Sequence, residues 1–157
     1  MKYLFDTDHI SIYQRRSGQS YINLASHLVR FPLSDFSVSI VTVQEQILGS
    51  HAYINRAKRR EDVVRGYGMM SQAMRDLTIF EIVDFGDAEA RIFEQFNVDK
   101  IQLKVMDARI AAIAISRGLI LLTRNQRDFD KVPNLKTQDW TLRLGGLLKR
   151  EGLIGMQ

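Results

Sequence analysis

The segment Lys2-Tyr3-Leu4-Phe5-Asp6-Thr7-Asp8-His9-Ile10 constrains this chain more than any other. A short apolar run delivers Asp6 and Asp8 at its end. Such a run reads as a buried strand, and a buried strand has no reason to finish on carboxylates unless they bind something. In a parallel α/β sheet the carboxyl ends of the strands are where ligands sit. The competing role is a helix cap, since an aspartate often closes the first turn of the helix that follows. Asp8 is the stronger candidate for that role and Asp6 the weaker.

The rest of the chain alternates strand and helix patterns. His9 to Arg15 makes a short helix, closed by the polar Arg16-Ser17-Gly18-Gln19-Ser20. Ile22, Leu24, Ala25, Leu28 and Val29 recur at helical spacing over Tyr21 to Arg30, and Phe31-Pro32 stops that helix. Phe36 to Val41 is short and rich in β-branched residues, which predicts a second strand. Thr42 then stands as a helix cap. Glu45, three residues on, either completes a capping box or offers a carboxylate just beyond the strand. The helix runs on through Ile54 into a basic cluster of Arg56, Lys58, Arg59, Arg60 and Arg65. A helix with Met69, Met70, Met74 and Leu77 follows, so the two make an antiparallel, projecting hairpin.

Ile79 to Phe85 reads as a third strand, and Asp87 opens a helix to about Phe96. Residues 97–105 are read as a connection carrying Lys100 and Lys104. Asp107 to Ile115 is a strongly apolar helix closed by Arg117-Gly118, and Asp107 in its first turn suits the helix dipole. Leu119 to Thr123 is a buried strand of parallel type. The polar turn Arg124 to Asp128 follows, then a last short strand at Leu135 to Thr137, with Trp140 packed near it. The pattern predicts one α/β domain over residues 1–140 with a mostly parallel sheet. Residues 141–157 are expected to be an extension and not a second domain.

Composition removes several chemistries. With no cysteine in 157 residues, disulfides, thiolate metal sites and thiol nucleophiles are excluded. No long apolar run predicts a membrane span and no signal-peptide pattern opens the chain, so the cytoplasm is the expected compartment. A net charge of +4 is compatible with an anionic partner such as nucleic acid without requiring one.

Three acids share a kind of address: Asp6 after the first strand, Glu45 after the second, Asp107 opening the helix before the fourth. Thr123, Asn125 and Asp128 follow that fourth strand. If the sheet is parallel these positions meet at one edge, where several carboxylates repel unless cations offset them. Oxygen ligands without a Cys or His cluster suit Mg²⁺ or Mn²⁺ better than zinc. His9, His27 and His51 lack ligand spacing and are read as surface or partly buried imidazoles.

Leu4-Phe5-Asp6-Thr7-Asp8, Ser39 to Glu45, Asp107 to Ala112 and Leu121 to Asn125 together resemble the PIN domain. Within it they are most similar to VapC-type toxins of bacterial toxin–antitoxin pairs. Arg127-Asp128-Phe129, Val132-Pro133 and Asp139-Trp140 resemble the closing signature of those toxins. The resemblance implies a Rossmann-like three-layer fold and an Mg²⁺-dependent endoribonuclease, with Mn²⁺ as the other metal. Asp6, Glu45 and Asp107 match its core acids, with Asn125 or Asp128 near a fourth and Asp8 and Thr123 in support. It also implies an RNA substrate, a cognate antitoxin and a homodimer. Arg56, Lys58, Arg59, Arg60, Lys104, Arg109 and Arg124 are candidates to track an RNA backbone. An exposed apolar groove between the early helices and the Met-containing hairpin would suit an antitoxin segment.

Other readings differ in what they ask of the acids. A PIN scaffold that binds RNA or protein without cutting would draw on Asn125 standing where the family usually has an acid. A haloacid-dehalogenase-type phosphatase would use Asp6 as nucleophile and Asp8 as acid–base, yet it leaves Glu45 and Asp107 idle. It also wants a later Asp-Asp pair, which this chain does not contain.

Overall fold

The computed structural model describes residues 1–143. Its centre is the first strand, β1 (Tyr3–Phe5), which is buried along its length. It pairs in parallel with β2 (Phe36–Ser39) on one side and β4 (Ile120–Leu122) on the other. Beyond them lie β3 (Glu81–Val83) and β5 (Thr137–Gln138), giving a five-stranded sheet in the order β3-β2-β1-β4-β5. Every pairing is parallel.

Alternation along the strands splits the core in two. Leu4 and Leu121 pack into one apolar cluster with Ala108, Ile110, Ala111 and Phe129. Tyr3, Phe5 and Leu122 point to the other face, among Ile10, Leu24, Phe36, Leu77 and Trp140. Successive side chains of a strand face opposite ways, so apolar residues at every position demand helices on both faces. This is the three-layer arrangement expected from the sequence.

The helices are α1 (Thr7–Arg15), α2 (Gln19–Leu28), α3 (Ile40–Arg56), α4 (Arg60–Leu77), α5 (Asp87–Gln95), α6 (Val98–Ile101), α7 (Val105–Arg117) and α8 (Gln126–Phe129). The expected hairpin is α3 and α4, joined by residues 57–59. It packs closely at Gly66, where a Cβ would come 2.5 Å from Ile54 Cγ1. Gly118 ends α7 in the left-handed region at φ 63°, which a residue without a Cβ adopts at no steric cost.

Several boundaries move. The second strand stops at Ser39, and α3 begins with Ile40 and Val41, whose β-branched side chains read as strand. The cap is Ser39, whose Oγ accepts the Thr42 N–H at 2.9 Å; Thr42 is inside the helix and is not the cap. Glu45 therefore lies in the second turn of α3, and the capping-box reading falls. Likewise Asp6, and not Asp8, is the N-cap of α1, accepting from Thr7 N–H at 2.8 Å. The connection over 97–105 contains α6, the polar turn after β4 contains α8, and β5 starts two residues later than expected and ends one later. Trp140 packs on Tyr3, Phe31 and His27, close to where the sequence placed it. Most of the extension assigned to 141–157 lies outside the described residues.

Candidate active site

Chain order departs from spatial order at β1. From it the sheet grows to β2 and β3 on one side and to β4 and β5 on the other. A crevice opens outside the carboxyl ends of the strands at such a switch point. Asp6 and Thr123 follow the two strands that meet there, and Asp6 N–H donates to Leu122 O at 3.0 Å.

Asp6 is 6% exposed, with both oxygens in hydrogen bonds. Oδ1 accepts from Thr7 N–H, and Oδ2 accepts the Thr123 hydroxyl at 2.7 Å. Burial nevertheless pushes its carboxyl up to about 7, and the nearby charge of Asp8 adds to the rise. The bonds from Thr123 and Thr7 oppose it, and Asp107 contributes a smaller push upward. Glu45 and Asp107 are also raised, each chiefly by burial. Asp107 raises Glu45 further, while Asp128 and Asp8 raise Asp107 against the pull of Lys104. Glu45 Oε1 is buried with no hydrogen-bond partner. Each of the three is thus raised by burial and by at least one neighbouring carboxylate.

Asp8 has a different part. His9, expected at or near the surface, is fully buried. The Trp140 N–H donates to His9 Nε2 at 3.1 Å, so that nitrogen carries no proton and Nδ1–H donates to Asp8 Oδ1 at 2.8 Å. The other oxygen of Asp8 accepts Arg124 N–H at 2.9 Å and lies 3.5 Å from the Thr123 hydroxyl. Asp8 thus ties β4's following loop to α1. Nothing in the local sequence marks His9 as a buried link, because its partner lies 131 residues away. His27 is buried as well, stacked on Trp140, whereas His51 is exposed as expected.

Asn125 N–H donates to Thr123 Oγ1 at 3.0 Å, and its side-chain amide donates to Asp128 Oδ2 at 3.0 Å. That bond holds the Asp128 carboxyl below its usual value, and Lys131 assists. Asn125 and Asp128 are therefore one hydrogen-bonded unit, and Asp128 is close enough to act on Asp107.

The basic candidates separate. Arg56, Lys58, Arg59 and Arg60 are exposed at the hairpin turn, roughly 16 Å along α3 from Glu45 at 1.5 Å per residue. Lys104 and Arg124 are exposed beside the acids they touch electrostatically or by hydrogen bond. Arg109 is not with them. It lies over the Phe93 ring at 5.8 Å and lines a groove of about 540 Å³ with Ile40, Ile47, Leu48 and Phe85. The groove expected between the early helices and the hairpin is present as well: Gly49, Met69 and Ala73 line it with Ser11, Gln14, Arg15, Gln46 and Gln72 beside Glu45, and most of its exposed lining is apolar.

Among the described residues no three His, Asp or Glu side chains converge as a ready metal cage. The donor set still fits a hard divalent cation: it is all oxygen, its carboxyls are raised by burial and mutual repulsion, and one buried carboxylate oxygen is orphaned.

The sheet order and the acids at its switch point define a class, and comparison with known proteins agrees. The model of the PIN domain family matches residues 24–135, and the chain belongs to that family. Among curated relatives, it is 28% identical over 147 residues to the tRNA(fMet)-specific endonuclease VapC of Shigella flexneri, covering 90% of this chain and 99% of the relative. It is 26% identical to ribonuclease VapC2 of Haemophilus influenzae, covering 89% of this chain and 98% of that one. Among solved structures, DNA-bound VapBC from Salmonella typhimurium shares the fold at TM-score 0.71 and 19% identity, covering 89% of this chain and 98% of its own. VapBC2 from Rickettsia felis does so at 0.67 and 22%, with 89% and 99% covered.

Proposed function

We propose that this protein is an endoribonuclease, the toxin of a toxin–antitoxin pair, working through the acids at the β1–β4 crevice. Full-length similarity to relatives named as VapC nucleases supports the activity. The observation that carries the site is the group of carboxyls raised by burial and by one another, with Glu45 Oε1 unpartnered among them.

In this reading Asp6, Asp107 and Glu45 would hold the metal, with Mg²⁺ the first choice and Mn²⁺ the second. The Asn125–Asp128 unit flanks them. When bound, the ion would offset charge on the phosphoryl oxygens and lower the pKa of a bound water. Thr123 fixes Asp6 by donating to Oδ2. Glu45 Oε1, buried and without a hydrogen-bond partner, is the oxygen left to turn to the ion, and the alternative role of this carboxylate is a base acting through a water. Lys104 and Arg124 stand at the crevice to meet phosphate, and the hairpin cluster at Arg56, Lys58, Arg59 and Arg60 would extend that contact along the strand.

Relatives of the same fold were solved as VapBC complexes. A cognate antitoxin and a second copy of this chain are the partners we propose, and the exposed apolar groove at Ile40, Ile47, Leu48 and Phe85 is the surface best suited to protein contact. Residues 1–140 would be the catalytic unit, working in the cytoplasm. No described helix is long and apolar enough to cross a membrane. The scaffold reading draws on the lack of a ready metal cage among the described residues. Incubating purified protein with a mixed RNA pool, with Mg²⁺ and with EDTA, separates the two. Cutting that EDTA stops supports the nuclease, and no cutting with either Mg²⁺ or Mn²⁺ favours the scaffold.

A further inference from the structure

The groove beside Glu45 has a feature that holding a cation does not use. It lies between α1, α3 and α4, and its volume of about 590 Å³ falls within the roughly 300–1,000 Å³ usual for ligand pockets. On its wall Gln14 and Gln46, from α1 and α3, exchange two hydrogen bonds: Gln14 Nε2 to Gln46 Oε1 at 2.7 Å and Gln46 Nε2 to Gln14 Oε1 at 2.8 Å. Both residues are half-buried, and neither amide has another hydrogen-bond partner among the described residues. Gln72, in the same groove, is instead committed to Asp76 and Arg75.

We infer that this groove is a nucleobase pocket and that Gln46 is its reader, released by Gln14 when a base enters. The inference rests on the nuclease reading, since Gln46 directly follows Glu45 in α3. An amide presents one donor beside one acceptor. A base edge with the same pair of groups replaces the Gln14 amide bond for bond at Gln46, and the displaced Gln14 amide, on the groove wall and only half-buried, turns to water. A base lacking that edge leaves a half-buried amide short of a partner, which is the source of discrimination. Every base has such a pair on its Watson–Crick edge, so the discriminating edge is the Hoogsteen one: there adenine alone offers it, as N6–H with N7, an established geometry for glutamine, whereas guanine offers two acceptors, cytosine one donor and uracil one acceptor. Met69 supplies an apolar surface in the same groove. Arg15, outside any ion pair among the described residues, supplies a cation for the attached phosphate. A base edge is the better occupant than a protein segment here, because the paired amides on the wall present a planar donor and acceptor side by side.

The test is binding of labelled 2′-O-methyl tetranucleotides, which resist cleavage, with A, C, G or U at one varied position. Fluorescence anisotropy is read for the unaltered protein and for Gln14→Leu, Gln46→Leu and Gln46→Glu, each checked by thermal melting. The unaltered protein should prefer A by about tenfold, within the range of one bidentate contact. Gln46→Leu should bring the four bases within about twofold. Gln46→Glu, which accepts but does not donate, should move the preference toward C. That shift is one a merely structural amide pair would not produce. Equal binding of all four bases, no binding, or an A preference surviving both Gln46 changes overturns the pocket. A preference for A without RNA cleavage overturns the nuclease reading and leaves the pocket standing; cleavage without base preference does the reverse.

Discussion

Replacing Asp6 by asparagine should stabilise the metal-free protein at pH 8 and do almost nothing at pH 4. The carboxyl is raised from 3.8 to about 7 in the folded protein, chiefly by burial and then by Asp8. An acid whose folded value exceeds its unfolded one binds its proton more tightly when folded, so stability falls as pH rises between those values. Three pKa units at about 1.4 kcal/mol each come to roughly 4 kcal/mol, fully lost above pH 7 and regained toward pH 4. An amide at this position never ionises. It also fits the hydrogen bonds: its oxygen takes the Thr7 N–H, its NH₂ donates to Thr123 Oγ1, and the Thr123 proton turns to Asp8 Oδ2, now 3.5 Å away. Urea unfolding of both proteins in EDTA, at pH 4 and pH 8, measures the difference. Excess Mg²⁺ should shrink the gap at pH 8 by stabilising the parent alone. An asparagine variant less stable than the parent at pH 8, or equally shifted at both pH values, would show that Asp6 is not a strained buried acid.

Other residues give sharper tests of packing. Gly66→Ala places a Cβ 2.5 Å from Ile54 Cγ1 and 3.1 Å from Tyr53 Cδ1, so overpacking of about 1–3 kcal/mol should outweigh a helix-propensity gain of about 1. Gly68→Ala, two residues on in the same helix, meets nothing within 4 Å and should stabilise by about 1 kcal/mol, the two read side by side in urea. Ser39→Ala removes the oxygen that accepts Thr42 N–H and should cost about 1 kcal/mol by the same measurement. His9→Leu leaves the Trp140 N–H and Asp8 Oδ1 without this partner and should cost about 1–3 kcal/mol; Trp140, the chain's single tryptophan, reports the unfolding.

The parallel sheet was legible because its strands are apolar at consecutive positions, a pattern only a sheet covered on both faces explains. The acids were legible because Asp6 ends such a strand and Asp107 opens the helix before another. Boundaries were harder where side-chain chemistry overrules propensity. Ile40 and Val41 favour a strand, but the Ser39 hydroxyl captures Thr42 N–H and starts α3 early. The link from Trp140 through His9 to Asp8 was invisible, because it joins residues at opposite ends of the chain. Arg109 read as one more basic residue near Asp107. Its position on α7 turns it toward Phe93 and away from the acids, a matter of helix phase that charge alone does not reveal.

The central claim is that the β1–β4 crevice cuts RNA. Its most direct test compares the parent with Asp6→Asn and Asp107→Asn, each shown to be folded, on one RNA pool with Mg²⁺. Metal-dependent cutting is expected of the parent, at least about a hundredfold weaker in both variants, the order of magnitude usual for removing a key charge-stabilising group. Undiminished cutting by either folded variant would contradict it.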